Sequence, residues 1–502
     1  MNSTDKHPDE NVRPLTPVLP KLYRLSTVDQ YVPKRWVTRM MYFPLSAGTS
    51  PLEIYEELKR GFSHVLTIHP QVTGEICRHP DRPLYAAIRT SEESSIKFTF
   101  KDHTTSTDEF RLPSYERLKE LNFPAQGMVG IACPPVVQYD ISEGSPIFAC
   151  QANFVEGGLI LTTAFNHVCI DGGSWTELFR LWALYTNPAT RPETSEEIAH
   201  SMDIVDQLSA PLTSSTGPDP RTWTPGPIEM STFRFAPPNT PSSGIVHPKK
   251  QSANNMPNPI AESTGSQIRF WSITSESQAL LKATAQSYST ILSIFALFWS
   301  RNATHSQLPT RHPVAYARIP IDMRARITPP VATNYIGNTV QMITTSLSAD
   351  VLAGSSADQH SLSSSLSTSL APAADALRTA IQAYKPAEFY SFIGTANSLP
   401  ETQALVHPFT SVMEPCVLLN DHSKMPLMGL EFGGKLGKTE SLRDAIDDFA
   451  LRRLNIVLIL PRLENGTLEV VTLCDHEVNA ALEKDEDVLK YFKSTGNGKL
   501  WS

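Results

Sequence analysis

A break near the middle of this chain limits what it can fold into more than any other feature. From residue 208 to 266 the sequence turns rich in Pro, Ser, Thr and Asn, as in PLTSSTGPDPRTWTPGP, PPNTPSSG and NNMPNP, with little periodic apolar pattern. Such a stretch cannot build a core of its own. It reads as a crossover linker dividing the 502 residues into two parts of domain size, 1–207 and 267–502. The isolated aromatics Trp223, Phe233 and Phe235 equip it to lie against a domain surface.

Both flanking parts alternate strand and helix signals. In the first, residues 146–155 and 159–163 flank the turn Glu156-Gly157-Gly158 and predict a hairpin. A helix follows over 174–185, where Trp175, Leu178, Phe179, Trp182 and Tyr185 keep the spacing of one buried face. In the second part, helical stretches at 276–287 and 290–303 precede strand-like runs at 313–321 and 338–345. The Ser-rich run 347–370 predicts a loop leading into a helix at 373–384, and Asn465-Gly466 marks a hairpin between 455–460 and 467–473. Residues 478–492 read as one helix. The fold class expected is mixed α/β, without the short repeats of a solenoid.

Charge and composition remove several functions. A net charge of -8, with no Lys/Arg run beyond Lys249-Lys250, offers no field for nucleic acid. Residues 1–13 lack an apolar targeting core, and the longest apolar run, 291–299 broken by Ser293, is too short for a bilayer. A soluble, intracellular protein is expected, cytoplasmic by default because the ending Lys499-Leu500-Trp501-Ser502 is not a peroxisomal address. In that compartment the sequons at Asn302 and Asn465 carry no meaning. Cys77, Cys133, Cys150, Cys169, Cys416 and Cys474 are scattered with no C-x-x-C pair, which predicts reduced core residues and neither a metal site nor a disulfide framework.

The chemistry concentrates in Asn166-His167-Val168-Cys169-Ile170-Asp171-Gly172-Gly173, between a predicted strand and a predicted helix. A rigid strand fixes a side chain there while the turn exposes it. His titrates near neutrality and can take a proton from a hydroxyl or amine as that group attacks a carbonyl, which makes His167 a candidate general base. Thioesters carry a good leaving group, so one base and an oxyanion stabiliser suffice, without a nucleophilic Ser or Cys. Asp171, the second member of the pair, better suits fixing the loop through an arginine than acting on substrate. Cys169, between Val168 and Ile170, reads as a small buried filler. Alone, His-x-x-x-Asp-Gly is a weak motif, and the alternative reading of its histidine is a satisfied core residue.

Four ordered marks supply the context. Leu25-Ser26-Thr27-Val28-Asp29-Gln30 opens the chain; His167, Asp171 and Gly172 form H-x-x-x-D-G; Ile321-Asp322-Met323-Arg324-Ala325-Arg326 with Pro329-Pro330 leads to Asn334-Tyr335-Ile336-Gly337-Asn338; and Glu431-Phe432-Gly433-Gly434-Lys435-Leu436-Gly437-Lys438 follows. Together, over residues 22–492, they resemble the BAHD acyltransferases. The fungal secondary-metabolism branch, which includes the trichothecene 3-O-acetyltransferases, is the nearer likeness.

The resemblance implies two chloramphenicol-acetyltransferase-like domains, each a mixed sheet flanked by helices, with an active-site channel at their interface and His167 at its middle. It implies a monomer with no bound cofactor, an acyl-CoA co-substrate, acetyl-CoA first among donors, and a small-molecule acceptor entering from the other face. Asp171 would turn from the channel to pair with Arg324, or second with Arg326, while Gly172 and Asn338 support the loop. The segment 431–438 would hold a loop near the CoA entrance, with Gly433, Lys435 and Lys438 as CoA-side candidates; the two lysines are equally well solvated charges. Thr410 and Ser411 resemble a channel-lining strand and are candidates for the oxyanion stabiliser. Asp29 reads as a helix cap or part of the acceptor side.

Glu431 replaces the usual Asp, and Gly434-Lys435 stands where Trp-Gly is commonest. Residue 166 is Asn, so the double His of condensation domains is missing and a free CoA donor is favoured. The expectation is an O- or N-acyltransferase acting on a specialised metabolite. Its alternatives are a BAHD-like enzyme releasing or cyclising a carrier-bound polyketide, and a non-catalytic binding protein on the same fold.

Overall fold

The computed structural model describes residues 10–105, 111–138, 141–192, 208, 234–235, 266–354, 365–398, 405–406, 416–445 and 455–496. Most of the segment 208–266 therefore lies outside the described residues, as do Thr410 and Ser411. Of that segment's aromatics, Phe235 pairs with Leu405 in a short two-stranded ladder.

Two large mixed sheets organise the rest. The first orders its strands Asn11–Val12, Ile96–Asp102, Phe148–Val155, Gly158–Asn166, Trp36–Pro44 and Ser441–Asp444. The hairpin at its centre turns at Gly157, whose φ of +80° suits glycine, and every residue of both its strands is buried. Continuous apolar runs are what a sheet covered on both faces requires. The second sheet orders Val340–Ser348, Val314–Asp322, Cys416–Asp421, Asn455–Ile459, Leu468–Asp475, Ser266–Ile273 and Lys493–Gly496. Its strands 314–322, 416–421 and 455–459 run parallel, and Asn455–Ile459 pairs antiparallel with Leu468–Asp475 beyond the Asn465-Gly466 turn.

The helices Pro51–Ile68 and Gly172–Thr186 cover the first sheet and cross at Gly61, where a Cβ would sit 2.1 Å from Thr186 Oγ1 and 2.9 Å from its main chain. Only glycine permits that approach. Trp182, fully buried in the crossing, donates from Nε1 to the Leu58 carbonyl at 2.8 Å. That bond satisfies the indole N–H inside an apolar layer.

One core lies wholly within the second half, around Trp271, Phe298 and Leu419. A larger core spans both halves, since Leu427, Phe432, Leu436 and Leu442 join Phe43, Trp175 and Trp182, and a smaller one joins Val28 and Tyr31 to Met323 and Phe389. This departs from a clean division at the 208–266 segment. After leaving the second sheet at Asp421 the chain crosses to the first, where Ser441–Asp444 pairs antiparallel with Trp36–Pro44 as its edge strand.

Two helix expectations are corrected. The helix expected at 373–384 begins at Ser365 inside the Ser-rich run, because Leu366, Leu370, Ala373, Ala374 and Leu377 bury one face. Residues 478–492 form two short helices, His476–Leu482 and Glu486–Leu489, because the Asp485 side chain accepts from the Asp487 and Val488 amides and starts a new helix. Among the described residues no helix is long and apolar enough to cross a membrane.

Candidate active site

The strand Gly158–Asn166 ends immediately before His167, and the turn after it is tied down locally. Asn166 Oδ1 accepts from the Val168 amide at 3.1 Å, while the Asn166 carbonyl accepts from the Cys169 and Ile170 amides. His167 N–H donates to the Arg35 carbonyl at 3.0 Å. Every residue from 166 to 171 is buried except His167, which keeps part of its surface open. Burial first, then the Arg35 charge and more weakly Arg39, pushes its ring down to about 4 against the opposing pull of Asp171. The imidazole is neutral at physiological pH.

The Asp171 carboxylate is turned to Arg324. It caps the helix Gly172–Thr186 by accepting from the Ser174 amide at 2.8 Å, and its other oxygen accepts from the Thr339 amide at 3.1 Å. Arg324 donates to both oxygens at 2.9 Å, a bidentate pair, and also reaches Ser174 Oγ, the Gly337 carbonyl and Asp322. Burial pushes the Asp171 carboxyl up, but the Arg324 charge and these four donors outweigh it and hold the group below its ordinary range. Arg326 does not share in the pair and is exposed. Gly173 leaves no room for a side chain, since a Cβ there would lie 2.7 Å from Arg324 Nη1, which Asp171 holds; one on Gly172 would lie 2.8 Å from Met425 Cε, the end of a flexible side chain.

Asn338 supports the turn from below. Its fully buried side chain donates from Nδ2 to the His167 carbonyl at 2.9 Å and to the Val168 carbonyl at 3.2 Å. The same nitrogen and the Asn338 amide donate to Asp29 Oδ1. Asp29 also closes a capping box with Ser26 on the helix Thr27–Tyr31, so its role as a cap is joined by one in the loop's support. Burial, partly offset by these bonds, raises the Asp29 carboxyl to about 6. Three segments distant in sequence thus meet behind one turn.

Known proteins are similar to this chain in sequence and in fold. Residues 5–471 match the Transferase family. This chain belongs to that family, the BAHD acyltransferases. It is similar to the acyltransferase clz6 of Cochliobolus lunatus, 27% identical and covering 92% of this chain and 93% of that one. It is also similar to the acyltransferase M4 of a Phoma species, 26% identical over 96% of this chain and 97% of the relative. In fold it matches F. sporotrichioides TRI101, solved with coenzyme A and T-2, at a TM-score of 0.71 and 18% identity, covering 95% of this chain and all of that one. The protein is accordingly an acyltransferase of a group other than aminoacyl.

Other residues beside the BAHD turn gave no motif. Arg39, 2% exposed on the strand Trp36–Pro44, lies over the Trp175 ring at 4.3 Å and pairs with Asp444 at 3.2 Å. Its Nη2 meets His422 Nδ1 at 3.4 Å, and Nη1 approaches Met425 Sδ at 3.8 Å. An arginine inside the apolar run WVTRMMYFP was the available signal, since buried charge needs partners.

The segment 431–438 folds against the far end of the helix Gly172–Thr186. Phe432 packs on Phe179 at 5.1 Å, and Gly433, with φ +70°, leaves no room for a Cβ beside Asn187. Lys435 pairs with Glu53, and Lys438 with Glu464 at 2.9 Å, all exposed. A cavity of about 500 Å³ beyond it, between Phe123, Met428, Lys438, Arg443 and Glu469, does not include His167. Its arginine is already committed to Glu469 in a bidentate pair.

Proposed function

We propose that this protein moves an acyl group from an acyl-CoA to a hydroxyl or amine of a small specialised metabolite, with His167 as general base. The state of His167 carries this reading: it is the one open side chain of a buried turn, and its ring is unprotonated at neutral pH. Nδ1 is buried and Nε2 is not among the buried unpaired atoms, which leaves Nε2 as the nitrogen an acceptor can reach. Asn338 fixes the His167 carbonyl and so holds the turn that carries the ring.

As the acceptor gives its proton to Nε2, its lone pair attacks the thioester carbonyl and charge gathers on the carbonyl oxygen. Collapse of the tetrahedral intermediate breaks the C–S bond, and the imidazolium returns the proton to the departing thiolate as free CoA. A ring at about 4 is a weak base in the empty enzyme. The developing oxyanion offsets the two arginines and raises it during reaction. No acyl-enzyme is needed, and the neighbouring Cys169 thiol is buried and pushed well above its ordinary value. The fold match to TRI101, solved with coenzyme A, supports a CoA thioester as donor.

The test pairs the purified protein with its His167→Ala variant. Each is incubated with acetyl-CoA, malonyl-CoA and longer acyl-CoAs against a metabolite extract, recording thiol release and new masses. Thiol release with a one-acyl mass gain in the parent alone is expected. Equal turnover by both proteins overturns His167 as base, and a parent that consumes no acyl-CoA overturns free CoA as donor.

A further inference from the structure

The mechanism above lacks a donor for the thioester oxyanion, and the second half of the chain brings one to the same place. His422 follows directly on the strand Cys416–Asp421, its amide bonded to the Ile459 carbonyl at 2.9 Å, and it is 8% exposed. Arg39, whose Nη2 meets its ring, and Met425, whose amide donates to its carbonyl, are also the two residues a Cβ on Gly172 would meet, at Nη2 3.8 Å and Cε 2.8 Å. Arg39 Nη2 thus bridges His422 to the glycine next to Asp171, and His422 lies near enough to His167 for the charge of one to act on the other.

The Arg39 contact also decides which nitrogen of His422 carries the proton. A guanidinium donates and never accepts, so Nδ1, 3.4 Å from Nη2, must be the acceptor. The proton then sits on Nε2, which has no partner among the described residues. We propose that His422 is a catalytic residue, held by Arg39 with its Nε2–H facing the reacting carbonyl, and that it donates to the thioester oxyanion. This rests on the acyl-transfer reading of the His167 site. The ring stays neutral throughout: burial, then Arg39, then His167 push it well below its ordinary value. Two imidazoles then divide the work. His167 takes the proton through an unprotonated Nε2, while His422 offers a proton it does not give up.

Three measurements test this. Thiol release from acetyl-CoA in the presence of the metabolite extract is compared for the parent, His422→Leu and His422→Gln, with thermal midpoints recorded for each. Losing one oxyanion donor should lower kcat of the Leu variant on the order of 10²-fold, with KM for acetyl-CoA within about twofold of the parent. Gln, whose amide N–H reaches a similar point, should keep kcat within about tenfold. The ¹⁵N shifts of labelled His422, assigned by difference against His422→Gln, should show the Nε2–H tautomer and lose it in Arg39→Met. Parent-like kcat in His422→Leu, or equal losses in both variants with raised KM, overturns the assignment while leaving His167 untouched. A Nδ1–H tautomer overturns it even where the Leu variant does not fold. A parent that releases no thiol from any acyl-CoA removes the acyl-transfer reading, and this inference with it.

Discussion

Removing Arg324 should damage this protein more than neutralising its partner Asp171. In Arg324→Leu, Asp171 keeps the Ser174 and Thr339 amides but loses two charged hydrogen bonds, and it stays fully buried. An uncompensated buried charge of this kind costs about 3–5 kcal/mol. In Asp171→Asn the helix cap can persist through Oδ1, and Arg324 keeps Asp322, Ser174 and the Gly337 carbonyl. The cost there should be about 1.5–3 kcal/mol, that of bonds to a charged group. The double variant should cost less than the sum, because the second change removes the stranded charge left by the first. The Asp171 carboxyl lies lower when folded than when unfolded. Its contribution is therefore present above about pH 4 and lost as pH falls through the folded value. Urea unfolding of the four proteins at pH 7, with thiol release per folded molecule, reads both quantities. Arg324→Leu costing no more than Asp171→Asn, or strict additivity, would refute the reasoning.

Other outcomes follow from single contacts. With His167 near 4, kcat/KM should stay level through neutral pH and fall as the ring protonates through about 4. His167→Ala should lack that limb and lose about 10²–10⁴ in kcat. Asp29 is an acid raised to about 6, so it favours the folded state most below the unfolded value, and this is lost as pH rises through 6. Thermal midpoints of Asp29→Asn across pH 4–7 should lack that slope. Gly61→Ala and Gly173→Ala both force a Cβ closer than 3 Å to a neighbour, at about 1–3 kcal/mol each. Only Gly173→Ala, which displaces Arg324, should also lower kcat per folded molecule, measured as thiol release after correcting for folded fraction.

How much of this was legible depends on how local each signal is. The central hairpin and the helix Gly172–Thr186 show in apolar period and turn chemistry, because a buried strand pair and a one-faced helix impose their own spacing. The edge strand Ser441–Asp444 could not be read: four residues, SLRD, pair with a strand some 400 positions earlier, and nothing local encodes the partner. The helix from Ser365 was masked by its serines and Pro372, where burial of Leu366 and Leu370 outweighs propensity. At the site, Asp171 and Arg324 stood out as charges in short motifs, although their pairing came from resemblance and not from spacing. Arg39 and His422 lie in segments with no motif, and their meeting depends on the crossover of 422–444 onto the first sheet.

That division bears on where specificity must reside. Asp29, Asp171, Gly173, Arg324 and Asn338 are each engaged with one another or with the turn's main chain, and their carboxylates and amides are fully buried. Groups so committed cannot distinguish one acceptor or acyl chain from another without breaking the clamp that orients His167. If His167 acts as proposed, the motifs encode the geometry of a base, and selection among substrates falls to side chains outside them. Replacing a residue of the clamp should lower turnover of every acyl-CoA in proportion. Replacing a wall residue outside it should change their ranking. An acyl-CoA panel run on Asn338→Ala separates the two, and a reordered preference there would place Asn338 against substrate instead of behind the turn.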